Sequence, residues 1–305
     1  SRDALNGRIM SASLSLDFAT SPGIWLSYSR IVSSRKPATM RAGDTAPRIE
    51  ATLAAIQPDP GHLARYAALC EVPRTDVVPI AYPHMLASGM HLAMLSSPAF
   101  PIGVLGLVHV RNCIVRERAQ DPTEPVALRS WLEGHRDTER GQEFDLETEG
   151  LAGRAVIWRE TCTFLAGRRG RPAAKPVADK TRESLLDKGS VTSTSFAVPA
   201  GLGRRYASVS GDYNPIHLAD VTARPFGFRK AIAHGMWSLA RCAAELGEAG
   251  MPGQTTLDVA FRLPVYLPAW VTLESCAATG TVDFALKDSA GHKPYLTGEL
   301  RTTSA

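Results

Sequence analysis

The sequence predicts an α+β protein in which a long buried helix is followed by an antiparallel sheet, the whole unit occurring twice. Three observations lead there. Pro83 to Ser96 (PHMLASGMHLAMLS) has helical spacing, and Met85, Leu86, Met90, Ala93 and Met94 cover most of its circumference, so other structure must wrap it. From about Leu105 the period changes to two through LGLVHVRNCIVRERA, VALRSWLEGHRD, EFDLETEGL and AVIWRETCTFLA. Strands separated by short turns make an antiparallel sheet rather than βαβ units. After a basic, Pro-containing stretch the same order of helix and strands returns.

Residues 1–45 are rich in Ser, Pro and Gly with weak periodicity, and are expected to form an irregular lead-in. The segment after Met10 lacks a basic start followed by a clean apolar run, so no signal peptide is expected. The first unit spans 46–165. It opens on a strand at Arg48 to Ile56, broken by Pro58 and Pro60, and a helix at Gly61 to Cys70 with Leu63, Tyr66 and Leu69 or Cys70 on one side. Pro83 suits the first turn of the long helix. Residues 166–190, including AGRRGRPAAKPVADKTRESLLDK, have no apolar period and read as a solvated linker rather than a basic patch for ligand phosphates. The second unit, 191–305, has a short strand at Thr194 to Val198 and a helix from about His234 to Leu246. Strands follow at LDVAFRLPVYL, VTLESCAATG, TVDFALKD and YLTGELRTT.

The units align at a few anchor positions. Tyr66-Ala67 lies 140 residues before Tyr206-Ala207, and His84 heads the first long helix as His234 heads the second. Arg111 lies 27 residues beyond His84, and Arg262 lies 28 beyond His234. Between tyrosine and histidine the first unit is shorter, 18 residues against 28, and it lacks an equivalent of GDYNPIH. One unit therefore carries the chemistry and leaves the other free to shape a pocket.

Composition narrows the function classes. With 44% hydrophobic and 21% charged residues, the chain is that of a globular protein, and +4 is far below the charge of a typical nucleic-acid binder. The five cysteines, Cys70, Cys113, Cys162, Cys242 and Cys276, form no CxxC pair. Reduced thiols in a cytoplasmic protein are expected, not a disulfide framework or zinc finger. No apolar run is long enough for a membrane span.

The chemistry concentrates in Tyr206 to Leu246, YASVSGDYNPIHLADVTARPFGFRKAIAHGMWSLARCAAEL. An acid, Asp212, and an imidazole, His217, stand five residues apart on a loop stiffened by Pro215. Seventeen residues on, His234-Gly235 opens a helix. These parts can move a proton beside a carbonyl and hold the charge that develops on its oxygen. Separately, Gly211-Asp212 and Asn214-Pro215 are ordinary turn signals. Their combination with His217 and, at this distance, His234-Gly235 is what points to function. His234 itself reads as a helix-start histidine bonding nearby backbone.

Gly211, Asp212, Asn214, Pro215 and His217, followed by His234-Gly235, resemble the signature of the MaoC-like, R-specific enoyl-CoA hydratase (hydratase 2) family. The resemblance implies a hotdog fold, a long helix wrapped by an antiparallel sheet, here in its double form with a degenerate first copy. It implies reversible dehydration of (3R)-3-hydroxyacyl thioesters to trans-2-enoyl thioesters in fatty-acid metabolism, with no metal and no other cofactor. Coenzyme A or acyl-carrier-protein phosphopantetheine would be part of the substrate. By the same likeness Asp212 and His217 form the catalytic pair, Asn214 orders their loop, and Gly235 supplies an oxyanion-hole amide.

Asp212, His217, Asp220 and His234 contain the atoms of a metal site, but no HxH or HExxH spacing is present. Ser208 and Ser210 lie near His217 without a G-x-S-x-G elbow. Met85, Met90 and Met94 either pack the core or line an acyl tunnel. His91, His109, His135 and His292 receive no role. A hotdog acyl-CoA thioesterase and a non-catalytic acyl-thioester-binding subunit are the alternatives to the dehydratase. The expected partners are an acyl-CoA or acyl-carrier-protein thioester, with no nucleic acid, and the chain is either a monomeric pseudo-dimer or a homodimer.

Overall fold

The computed structural model describes residues 13–167, 190–251 and 253–303, Ala249 by its backbone alone. The linker expected at 166–190 lies almost wholly outside the described residues. The long helices are α3 (Tyr82–Ser96) and α7 (Gly235–Glu245). In α3 the side chains of Met85, Ala87, Met90, His91, Ala93 and Met94 are all buried, as an all-round apolar helix requires.

The strands are β1 (Leu14–Phe18), β2 (Ile49–Ile56), β3 (Leu107–Arg116), β4 (Val126–Leu132), β5 (Arg136–Thr138), β6 (Gly141–Ala152) and β7 (Ala155–Gly167). Beyond the linker come β8 (Val191–Val198), β9 (Gln254–Phe261), β10 (Ala269–Ala278), β11 (Thr281–Asp288) and β12 (Pro294–Thr303). They form one sheet in the order β1-β2-β4-β6-β7-β3-β9-β12-β11-β10-β8, with β5 on β6. From the β3–β9 seam outward the order is β3-β7-β6-β4-β2 on one side and β9-β12-β11-β10-β8 on the other. These are the same five positions in chain order, so the sheet is a double hotdog. Alternation faces Val126, Leu128, Leu132, Phe144 and Leu146 into the core around α3, while Leu257, Val259, Leu296 and Leu300 do the same around α7.

Between residues 14 and 33 the lead-in is not irregular. Leu14 to Phe18 pairs in parallel with Ile49 to Leu53, extending the sheet edge, and α1 (Ile24–Ser33) packs against α3. The period-two signal LSLDF is real but short, and the apolar residues of α1 are only partly covered. Ser27 and Ile31 are buried, while Trp25, Leu26 and Val32 face out. Ile24, Tyr28, Ile31 and Val32 recur at helical spacing, but over only ten residues set between Pro22 and Pro37. Two strands also end differently from expectation. VALRSWLEGHRD is split into β4 and β5, and β9 stops at Phe261 because Arg262 and Leu263 both donate their N–H groups to the Tyr295 carbonyl, ahead of Pro264.

Short helices complete each half: α2 (Pro60–Cys70) in the first, and α4 (Leu202–Ser210), α5 (Pro215–Leu218) and α6 (Asp220–Ala223) in the second. Tyr66 of α2 and Tyr206 of α4, aligned in the sequence, are both fully buried. The two halves are tied by buried polar groups. The Trp237 indole donates to the Leu69 carbonyl at 3.0 Å, and the His62 Nε2–H donates to the Val209 carbonyl at 2.7 Å.

Candidate active site

Helix α4 ends where Gly211 adopts φ +74°, a left-handed stop that glycine takes without strain. The chain then turns back on itself. The Asp212 carboxylate accepts the Asn214 N–H at 3.0 Å, and the Asn214 side chain caps α5 by accepting the Ile216 N–H at 3.4 Å. Pro215 occupies the first position of that helix, where its missing donor is harmless. One turn later His217 faces Asp212 again. An acid five residues from a base is thereby folded into proximity by local chemistry alone.

The His217 Nδ1 lies 2.8 Å from the Ile232 carbonyl. A carbonyl can only accept, so Nδ1 carries the hydrogen and Nε2 presents a lone pair. That Nε2 is 3.9 Å from Asp212 Oδ2, a gap that one bridging oxygen spans. His234 donates its Nε2–H to the Asp212 backbone carbonyl at 3.0 Å, and its ring stacks on His217 with centroids 3.7 Å apart. His234 is thus the helix-start histidine that bonds backbone, and the carbonyl it holds belongs to the acid.

Charge follows from burial. Burial and the neighbouring His217 push His234 down to about 3, and burial lowers His217 despite Asp212. Two stacked imidazoles therefore stay neutral at physiological pH. Burial raises the Asp212 carboxyl, but His234, His217 and the Asn214 N–H outweigh it and the net shift is downward. The result is a carboxylate beside a neutral imidazole. The Asp212 side chain keeps 47% of its surface open, whereas those of His217 and His234 keep 9% and 2%. The pair is accessible from the acid's side.

Gly235 is the first residue of α7, so its N–H has no acceptor within the helix and carries the positive end of the dipole. A Cβ there would come within 3.0–3.2 Å of the Phe261 ring. Glycine therefore permits the Phe261 ring to pack closely against the helix start.

Two residues of this site were not legible beforehand. Gly203, in the first turn of α4, passes under the loop so closely that a Cβ would sit 1.8 Å from the His217 carbonyl oxygen. We expect Gly203→Ala to destabilise the chain by about 1–3 kcal/mol. Displacing His217 should also lower turnover by about a hundredfold. Thermal denaturation and steady-state kinetics check both; unchanged turnover would show that His217 tolerates the shift. The second residue, Tyr28, comes from the lead-in. Its hydroxyl oxygen accepts the Tyr213 N–H at 2.6 Å.

Among the residues considered as metal ligands, Asp220 is not brought in; it accepts the Ala231 N–H at 2.9 Å. Asp212, His217 and His234 hold ligand atoms within 4.8 Å of one another, but His234 Nε2 is committed to the Asp212 carbonyl. A second such group is His84, His91, Glu160 and Cys162 in the first half. There His84 and Glu160 pair at 2.8 Å, Asn112 donates to Glu160 at 2.7 Å, and His91 bonds Thr148 at 2.7 Å. His84, aligned with His234, thus faces a buried carboxylate instead of a loop acid. Ser208 donates to the Arg205 carbonyl of its own helix, and the Ser210 hydroxyl accepts the Asp212 N–H at 3.1 Å, so neither serine is paired with a base.

The shared order of elements in the two halves defines a double hotdog. Residues 186–287 match the MaoC like domain. The chain is 32% identical over 258 residues to 3-hydroxyacyl-thioester dehydratase X of Mycobacterium tuberculosis, covering 85% of this chain and 91% of that protein. The crystal structure of that protein, HtdX, superposes with a TM-score of 0.71, covering 83% of this chain and 100% of the other at 31% identity. A MaoC-like dehydratase from Phytophthora capsici, 17% identical, shares the fold with a TM-score of 0.66 over 85% of this chain and 96% of its own. The (R)-specific enoyl-CoA hydratase of Aeromonas caviae is 33% identical over 73 residues, 23% of this chain and 54% of that protein. The chain belongs to the MaoC-like dehydratase family. Among the described residues, no helix is long and apolar enough to cross a membrane.

Proposed function

We propose that this protein interconverts (3R)-3-hydroxyacyl and trans-2-enoyl thioesters by adding and removing water, with Asp212 and His217 as the working pair. The observation that carries this reading is the Asp212 carboxylate and the His217 Nε2 facing each other across 3.9 Å beside the start of α7. The names borne by the Mycobacterium tuberculosis and Aeromonas caviae relatives supply the substrate class and the hand.

The geometry accommodates a reaction in which every proton is accounted for. In dehydration the C2 proton passes to one basic group as the thioester oxygen gains enolate character, and the Gly235 N–H stabilises that oxygen. The C3–O bond then breaks, the hydroxyl takes up a proton, and water leaves. His217 Nε2 is suited to carry the proton because a neutral imidazole with its Nδ1–H fixed can both receive and return one. Asp212, held ionised, accepts a hydrogen bond from the 3-hydroxyl or the water. Both groups lie on one loop, so addition and elimination occur on one face. No metal or redox group is required by any of these steps.

In this reading, residues 191–305 carry the chemistry and 46–165 shape the acyl pocket. The carrier is coenzyme A or an acyl carrier protein. The test is hydration of trans-2-enoyl-CoAs, from crotonyl to long-chain, followed by loss of enoyl absorbance with a thiol reagent present. Absorbance should fall without thiol release, and the product should be (3R). Thiol release at constant enoyl absorbance would identify a thioesterase, and silence in both would leave a binding subunit.

A further inference from the structure

We infer that Tyr28, from the helix that precedes the duplicated units, is a positioning residue for Asp212, so the segment before the double hotdog is a working part of the active site. The inference rests on the assignment of Asp212 as a catalytic group.

The segment is fixed at both ends. Its strand β1 pairs with β2 at five consecutive positions, Leu14↔Ile49 to Phe18↔Leu53. It then crosses α3 at Gly89, where a Cβ would lie 2.7 Å from the Pro22 carbonyl oxygen and 3.1 Å from Ser21 Oγ. Only a glycine in the middle of α3 admits this crossing. Helix α1 then descends onto the catalytic turn, with Ile24 packed 3.5 Å from where a Gly211 side chain would begin. Trp25 lies against Tyr213, with ring centroids 5.3 Å apart.

At the end of this path the Tyr28 hydroxyl is centred on the turn. It accepts the Tyr213 N–H at 2.6 Å, a short bond, and its own hydrogen is shared between the Gly211 carbonyl and Asp212 Oδ1, each at 3.4 Å. One hydroxyl thus touches three consecutive residues, Gly211, Asp212 and Tyr213. Burial and the adjacent Asp212 raise its pKa, so the hydroxyl keeps its proton across the working pH range. The received bond sets the turn's backbone, and the turn aims the carboxylate. On the other side His234 holds the Asp212 carbonyl. The acid is therefore gripped from both sequence-distant flanks, one belonging to the duplicated unit and one added to it.

The experiment is Tyr28→Phe, which keeps the ring and removes the oxygen. On crotonyl-CoA, kcat should fall about tenfold, the equivalent of one well-placed hydrogen bond, with KM within about twofold of wild type. Independently of any substrate, amide exchange in the peptide containing Tyr213 should accelerate in the variant. Wild-type kcat, a rise in KM alone, or unchanged exchange would overturn the inference. Wild-type protein inactive on every enoyl thioester would instead strike the reaction assigned above, and the exchange measurement would still decide whether Tyr28 holds the turn.

Discussion

Asp212→Asn and His217→Ala are each expected to lower enoyl-thioester hydration by about three orders of magnitude, the contribution typical of a positioned acid–base group. The asparagine keeps the shape of the turn, since its side-chain oxygen can still accept the Asn214 N–H, but it carries no charge. Loss of rate in that variant therefore reports on the carboxylate itself. His217→Ala removes the lone pair and also the bond to the Ile232 carbonyl, so its folding must be checked by circular dichroism. Near-wild-type turnover in either variant would remove that residue from the mechanism. The pH dependence has a definite sign. The proposed mechanism requires Asp212 ionised and His217 neutral, and both shifts are downward. Rate is thus retained above the ordinary imidazole value of 6.5 and lost as protons bind below it. A limb in the free enzyme above that value would contradict the burial of His217.

Glu248→Ala is expected to destabilise the protein by about 3–5 kcal/mol, because it leaves Arg116 buried without its counter-ion. Arg116 stands at the end of β3 in the first half, and Glu248 follows α7 in the second; their side chains are 3% and 2% exposed. They meet at 3.0 Å. Arg116 also donates to the Glu248 carbonyl and to Thr255, and Glu248 accepts the Ile80 N–H at 3.2 Å. Burial raises the Glu248 carboxyl, with Arg116 and the Ile80 N–H pulling it back. The pair is therefore a costly arrangement held by mutual attraction, and removing one partner is worse than removing both. Arg116→Met with Glu248→Leu should recover much of the loss. Urea unfolding of the single and double variants measures this, and a single-variant loss below about 1 kcal/mol would show that water reaches the pair.

Much of this was legible in the order of residues. The duplication follows from patterns of period, because a helix buried all round and a run of alternating strands are written locally. The turn that carries Asp212 and His217 is equally local. Gly211 ends a helix, Asn214 and Pro215 start the next, and the spacing from Asp212 to His217 is one reversal of the chain. Tyr28 and Gly203 were illegible for the opposite reason. Tyr28 acts 184 residues from Asp212. Gly203 matters because of a carbonyl fourteen residues further on that a helix happens to cross. Neither a tyrosine in a Ser-rich stretch nor a glycine at a helix start signals its partner.

The lead-in shows the same limit at the level of an element. Its strand is five residues long and its helix ten, each too short a periodic run to stand out among the surrounding Ser and Pro residues. Their structure comes from β2 and α3, which supply the sheet edge and the groove. The sequence by itself determined the two helix-and-sheet units and the turn that carries an acid and a base, since each rests on interactions between near neighbours. Tertiary structure decided the protonation of the two imidazoles and the identity of what grips the acid. Desolvation and contact depend on which distant segments close over a site, and proximity along the chain does not encode that.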